Sequence, residues 1–185
     1  MTIYEIQHWL LTTLRSVHIV YPIMTSRWGW PICESLHFVG LSLLIGTVGM
    51  FDMRLLGVAK RIPISALHRL IPWGIGGYFI NIVTGSMFLV TAPDQYLYNS
   101  SFHLKILFMA LAGLNVLMFY STMFRKVIVL GPGADAPLGA KWIGGASLFL
   151  WTGIIIFGRL LTFYRPFVCG DEGQTGLLAT CLLGK

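Results

Sequence analysis

Four long apolar stretches, joined by short polar segments, constrain this chain more than any other feature. The runs from Ser35 to Phe51, Leu70 to Pro93, Ile106 to Phe124 and Trp142 to Gly158 contain no Asp, Glu, Lys or Arg. A helix needs about 20 mostly apolar residues to cross a hydrocarbon layer about 30 Å thick. Each stretch reaches that length once its flanking residues are counted. The chain therefore reads as all-α, a transmembrane four-helix bundle. Its composition agrees, being 56% hydrophobic and 11% charged, where soluble domains carry about 25% charged residues. Four spans consume most of the 185 residues and leave no room for a second globular domain.

A net charge of +6 invites a nucleic-acid reading, but no basic run or RNA-binding motif accompanies it. The basic residues stand at span ends, where anionic lipid headgroups attract them. A lipid membrane is the expected partner, and nucleic acid is not.

Residues 1–30 lack the basic start, unbroken apolar core and small-residue cleavage site of a secretory signal. Ile3, Ile6, Leu10, Leu14 and Val17 recur at helical spacing, with Glu5, His8, Thr12 and Arg15 on the other side. That pattern predicts an amphipathic helix lying on the membrane surface. Trp28-Gly29-Trp30-Pro31 then leads into the bundle, expected over residues 31–165. The spans are expected over roughly 32–57, 70–91, 102–127 and 141–164, the third stopped by Gly131-Pro132-Gly133. Residues 166–185 form an extramembrane tail.

The joints after spans one and three carry Arg54, Lys60, Arg61, Arg69, Arg125, Lys126 and Lys141. The positive-inside tendency places those joints in the cytoplasm and both termini in the periplasm of a bacterial inner membrane. Glycine is dense within the spans, which lets helix backbones approach closely. The same surfaces suit a homo-oligomer or a flat cofactor.

The chemistry must come from a few polar side chains. His37 lies early in span one and His103 at the start of span three, on the same membrane side and at similar depth. In an up-down-up-down bundle those helices are diagonal neighbours facing a shared core. Two imidazoles meeting there could ligate one haem iron from opposite faces. Gly40 and Ala110 offer small surfaces beside a porphyrin. Arg159, Arg165, Lys105 and Arg27 fall on the same side and could neutralise haem propionates. An intramembrane Arg is expensive without an anion, and Glu34 is the competing partner for Arg159. No Cys-x-x-Cys-His is present, so covalent attachment is excluded and any haem is b-type.

His68 stands beside Arg69 at the opposite edge and reads as a solvated loop residue. His8 and His18 lie on the surface helix, as ordinary polar-face residues or as a second haem or copper site. Cys169 and Cys181 in the tail are expected to form a disulfide, with copper ligation as the alternative. Cys33 reads as a small packing residue. No hydrolase, phosphate-loop or dinucleotide motif occurs.

Trp30-Pro31, Glu34, His37, Gly40-Leu41, Gly46 and Asp52-Met53-Arg54-Leu55-Leu56-Gly57 resemble a bacterial family of small four-helix membrane proteins of unknown function. Leu70-Ile71-Pro72-Trp73, Gly85, Asn99, Phe102, Lys105 and Ala112-Gly113-Leu114-Asn115 extend the resemblance over about residues 28–125. That family is similar in layout to b-type membrane cytochromes, which implies haem and electron transfer. His103 lies outside the quoted matches, so Lys105, His18 and His68 stay open as second ligands.

The expectation is thus a membrane b-type cytochrome with His37 and His103 as axial ligands, exchanging electrons with a quinone or a periplasmic redox protein. The rivals are a non-redox membrane scaffold or transport subunit, and a copper-handling protein built on His8, His18 and the tail cysteines.

Overall fold

The computed structural model describes residues 9, 12–14 and 19–163, leaving aside the side chain of Asp94. Within them the chain is helical, with no strand. The helices are α1 (Val20–Thr25), α2 (Gly29–Leu56), α3 (Ile64–His68), α4 (Ile71–Thr91), α5 (Pro93–Leu97), α6 (Ser100–Thr122), α7 (Phe124–Val127) and α8 (Leu138–Phe163). Four segments are long and apolar enough to cross a membrane: α2, α3 with α4 (Ile64–Thr91), α6 and α8. The 28 residues of α2 rise about 42 Å at 1.5 Å per residue, more than the hydrocarbon thickness. The expected surface helix falls mostly outside the described residues.

Local chemistry sets the ends. At the start of α2, Ser26 Oγ accepts from Gly29 N at 3.1 Å, and Pro31 sits in the first turn, where its missing N–H costs nothing. Leu56 is followed by Gly57 at φ +99°, a left-handed cap. Asn99 caps α6 by accepting from Ser101 N at 2.9 Å. Span three was expected to run through Val127, yet α6 ends at Thr122 and α7 begins two residues later. The hydroxyls of Ser121 and Thr122 donate to Met118 O at 3.1 and 2.6 Å. Such side-chain bonds compete with the backbone ladder where the helix breaks.

Span one packs along span two and along span four, and span four packs along span three. The α2–α4 crossing is backbone against backbone. A Cβ built on Gly77 would lie 2.5 Å from Gly40 O, and one on Gly40 would lie 2.8 Å from Gly77 O. Further along the same crossing, Gly74 leaves room for the Thr47 side chain. Between α6 and α8, Gly153 receives the Phe108 ring.

The bundle has two unlike ends. The joint end gathers Phe51, Leu55, Ile64, Leu67, Phe119, Val127, Ala136, Ala140 and Ile143 into an apolar cluster. Arg54, 1% exposed, crosses it to donate to Ile62 O at 2.7 Å and Ala134 O at 3.0 Å. At the terminal end, α1 lies across spans one and two and buries Met24 with Cys33 and Phe88. Exposed Trp28 and Trp30 ring that end, and Trp73 and Trp142 ring the other. Aromatic belts at both rims, with apolar flanks such as Phe79, Leu117 and Phe149 exposed between them, suit a lipid surround.

Candidate functional site

The face of α2 that meets α4 carries Cys33, His37 and Gly40 at helical spacing, and α4 answers with Gly77, Thr84, Gly85 and Phe88. His37 Nδ1 lies 2.7 Å from Thr84 Oγ1. The Thr84 hydroxyl already donates to Ile80 O at 2.7 Å. With its one proton committed, Thr84 accepts, so His37 donates from Nδ1 and keeps a lone pair on Nε2. That is the arrangement second-shell partners impose on metal-binding imidazoles.

Small and aromatic groups frame the ring. Gly85 faces it, since a Cβ there would stand 3.8 Å from His37 Cε1. Phe88 meets it edge-on at 5.7 Å between centroids, and Trp30 leans on Phe88 at 4.9 Å. Cys33, buried as the sequence suggests, points its Sγ at Thr84 O, 3.7 Å away. From α6, Lys105 folds inward over Gly158, its Nζ 3.7 Å from where a Cβ would sit. Tyr96 of α5 closes the cluster; burial pushes its phenol up to about 12, with Cys33 and Glu34 adding to the effect.

The other expected site residues are placed differently. His103 is exposed on α6, its ring 6.3 Å from that of Phe102, whereas His37 turns toward span two. Two residues on, Lys105 of α6 is half-buried and lies over Gly158. Arg159 is exposed and lies over the Phe163 ring at 5.1 Å. His68 is half-buried among Phe51, Tyr120 and Phe124 and shares a 3.3 Å hydrogen bond with Tyr120 Oη. It is not the solvated loop residue that the sequence suggests. His8, His18, Arg165, Cys169 and Cys181 lie outside the described residues. Among those described, no three His, Cys, Asp or Glu side chains converge on a metal position.

No protein family, curated protein or solved structure matches this chain. What stands is its physical character, carried by four apolar spans. The chain is a multi-pass membrane protein.

Sequence reasoning had passed over Thr84, Arg54 and Asp52 as site residues. Thr84 carried one signal, a hydroxyl in an apolar span eight positions before the polar turn at Ala92. Asp52 and Arg54 did stand out as charges within a hydrophobic run, but only as a span end.

Proposed function

We propose that this protein is a membrane electron-transfer protein that holds a b-type haem at the terminal end of its bundle, with His37 as an axial ligand. The His37–Thr84 hydrogen bond at 2.7 Å carries the reading. It orients the imidazole and leaves Nε2 available, as haem ligation requires. Gly85 and Gly158 leave room beside the ring, and the Lys105 amine over Gly158, once unprotonated, is a nitrogen donor. Half-buried over Gly158, Lys105 is the stronger second ligand; His103, exposed, is the weaker. Bound haem would contribute one-electron chemistry, its potential tuned by ligand identity and burial. A quinone or a redox protein outside the membrane would be the partner. The basic joint end belongs in the cytoplasm by the positive-inside tendency, which sets His37 near the periplasmic face.

An optical spectrum of detergent-purified protein from haem-replete cells tests this. A Soret band that His37→Ala loses and His68→Ala keeps is the expected result. Colourless protein that also takes up no added haemin would overturn the reading and favour a non-redox scaffold.

A further inference from the structure

A second polar position lies at the joint end, remote from His37. Asp52 is one turn inside the end of α2, 15 positions and about 22 Å along the helix from His37. It is only 5% exposed, at the contact between spans one and four, and Oδ2 has no hydrogen-bond partner. The Ser147 hydroxyl of α8, itself 4% exposed, stands beside the carboxyl at this contact. Gly144 makes the contact close: a Cβ there would stand 3.2 Å from Asp52 O.

A carboxylate between apolar helices requires a compensating cation, because a lone ion is poorly tolerated there. Among the described residues none is paired with it. Arg54, two positions on along the same helix, spends Nε and Nη2 on Ile62 O and Ala134 O, its Nη1 is buried without a partner, and no ion pair joins it to Asp52. Lys60 and Lys141 are both paired with Asp135. On α8 the neighbours Gly144 and Ser147 carry no charge. From α6, Asn115 donates to Ile143 O at 3.1 Å. His68 of α3 is engaged with Tyr120 and packs on Phe51.

The donor set decides which cation fits. Hard metal ions take about six or more oxygens, and here one carboxyl and one hydroxyl are present. The next polar atom on that face of α8 is Trp151 Nε1, also buried without a partner. It is an N–H donor and offers no lone pair to a metal ion. We infer that Asp52 with Ser147 forms an intramembrane proton-binding site, exchanging its proton from the joint end. The site is independent of the haem reading and stands or falls without it.

Dicyclohexylcarbodiimide, an apolar reagent selective for protonated carboxyls, tests the site on the full-length protein in lipid vesicles. Peptide mass mapping after treatment between about pH 5 and about pH 9, a range that brackets buried carboxyls, is the readout. The expected result is an adduct on Asp52 that declines as pH rises, ignores added sodium, persists in Asp52→Glu and disappears in Asp52→Asn. Protection by sodium would assign an alkali ion instead. An adduct of constant yield across the range would mark a fixed structural acid. Either result overturns the proposal. Infrared spectra of the same samples guard against blocked reagent access: the protonated-acid carbonyl band should titrate in the wild type and be missing in Asp52→Asn. Absence of both adduct and titrating band would also overturn it.

Discussion

At His37 the decisive atom is the one that Thr84 leaves alone. Thr84→Val keeps the shape but removes the acceptor for Nδ1–H. Second-shell losses of this kind cost about 10–100-fold in ligand affinity, so haemin titration should show that drop, and Thr84→Ser should restore most of it. Gly77 makes a different demand, since a Cβ there would meet the Gly40 carbonyl at 2.5 Å and backbone cannot swing aside. Gly77→Ala should lower stability by about 1–3 kcal/mol, the usual cost of overpacking. Gly76, with nothing within 4 Å, is the matched control. There the same change should be neutral or slightly stabilising, because Ala is the better helix former. Thermal melts of the two variants in one detergent compare them directly.

Among the elements, the two joints of the basic end behave as one unit. Gly133 N donates to Lys60 O at 2.8 Å, and Arg54 reaches from α2 to a carbonyl in each joint. Arg54→Leu strands both carbonyls, and hydrogen bonds to charged groups contribute about 1.5–3 kcal/mol each. The variant should melt earlier and lose protease resistance first at residues 57–63 and 131–137. Asp135 joins the same ends through Lys141 at 2.7 Å and Lys60 at 3.2 Å. Hydrogen bonds from Lys141 and then Lys60 hold its carboxyl below the usual carboxylate range. A depressed folded value means the contribution is complete above the unfolded value of about 3.9 and is lost as pH falls through the lower folded one. Melting temperature should therefore drop below about pH 4, and Asp135→Asn should flatten part of that slope. The pair is solvent-exposed, so salt should weaken the effect as well.

For the molecule as a whole, orientation is the largest open quantity with a direct readout. The joints hold Lys60, Arg61, Arg69, Arg125, Lys126 and Lys141, whereas residues 92–104 between spans two and three hold no Lys or Arg. A reporter fused after Lys185 should be active only outside the cytoplasm; a fluorescent cytoplasmic fusion would reverse the orientation. In that orientation Cys169 and Cys181 would lie in an oxidising compartment, where a disulfide between them would restrain the unfolded tail by about 3 kcal/mol in the entropic picture. Alkylation with and without reductant, read by intact mass, checks the bond.

The four spans were readable from the sequence because lipid imposes a length and an apolarity that a one-dimensional pattern displays directly. The stop at Gly57 was readable too, since a left-handed turn calls for glycine, whereas span three ends at Thr122, ahead of the stop expected at 131–133. His37 was singled out for the same reason, as a polar side chain in a run that excludes charge. Its partner was not, because a hydroxyl at Thr84 becomes a histidine acceptor only when α4 crosses α2 at Gly77 and Gly40. The facing of His103 also escaped: equal depth places two residues at one level, but rotation about each helix axis decides whether they meet. That rotation is set by packing, here Phe108 against Gly153 and Lys105 over Gly158. Arg54 and Asp52 read alike, as charges at a span end. Only the tertiary fold, bringing Ala134 to one and Ser147 to the other, separated a loop clamp from a buried acid.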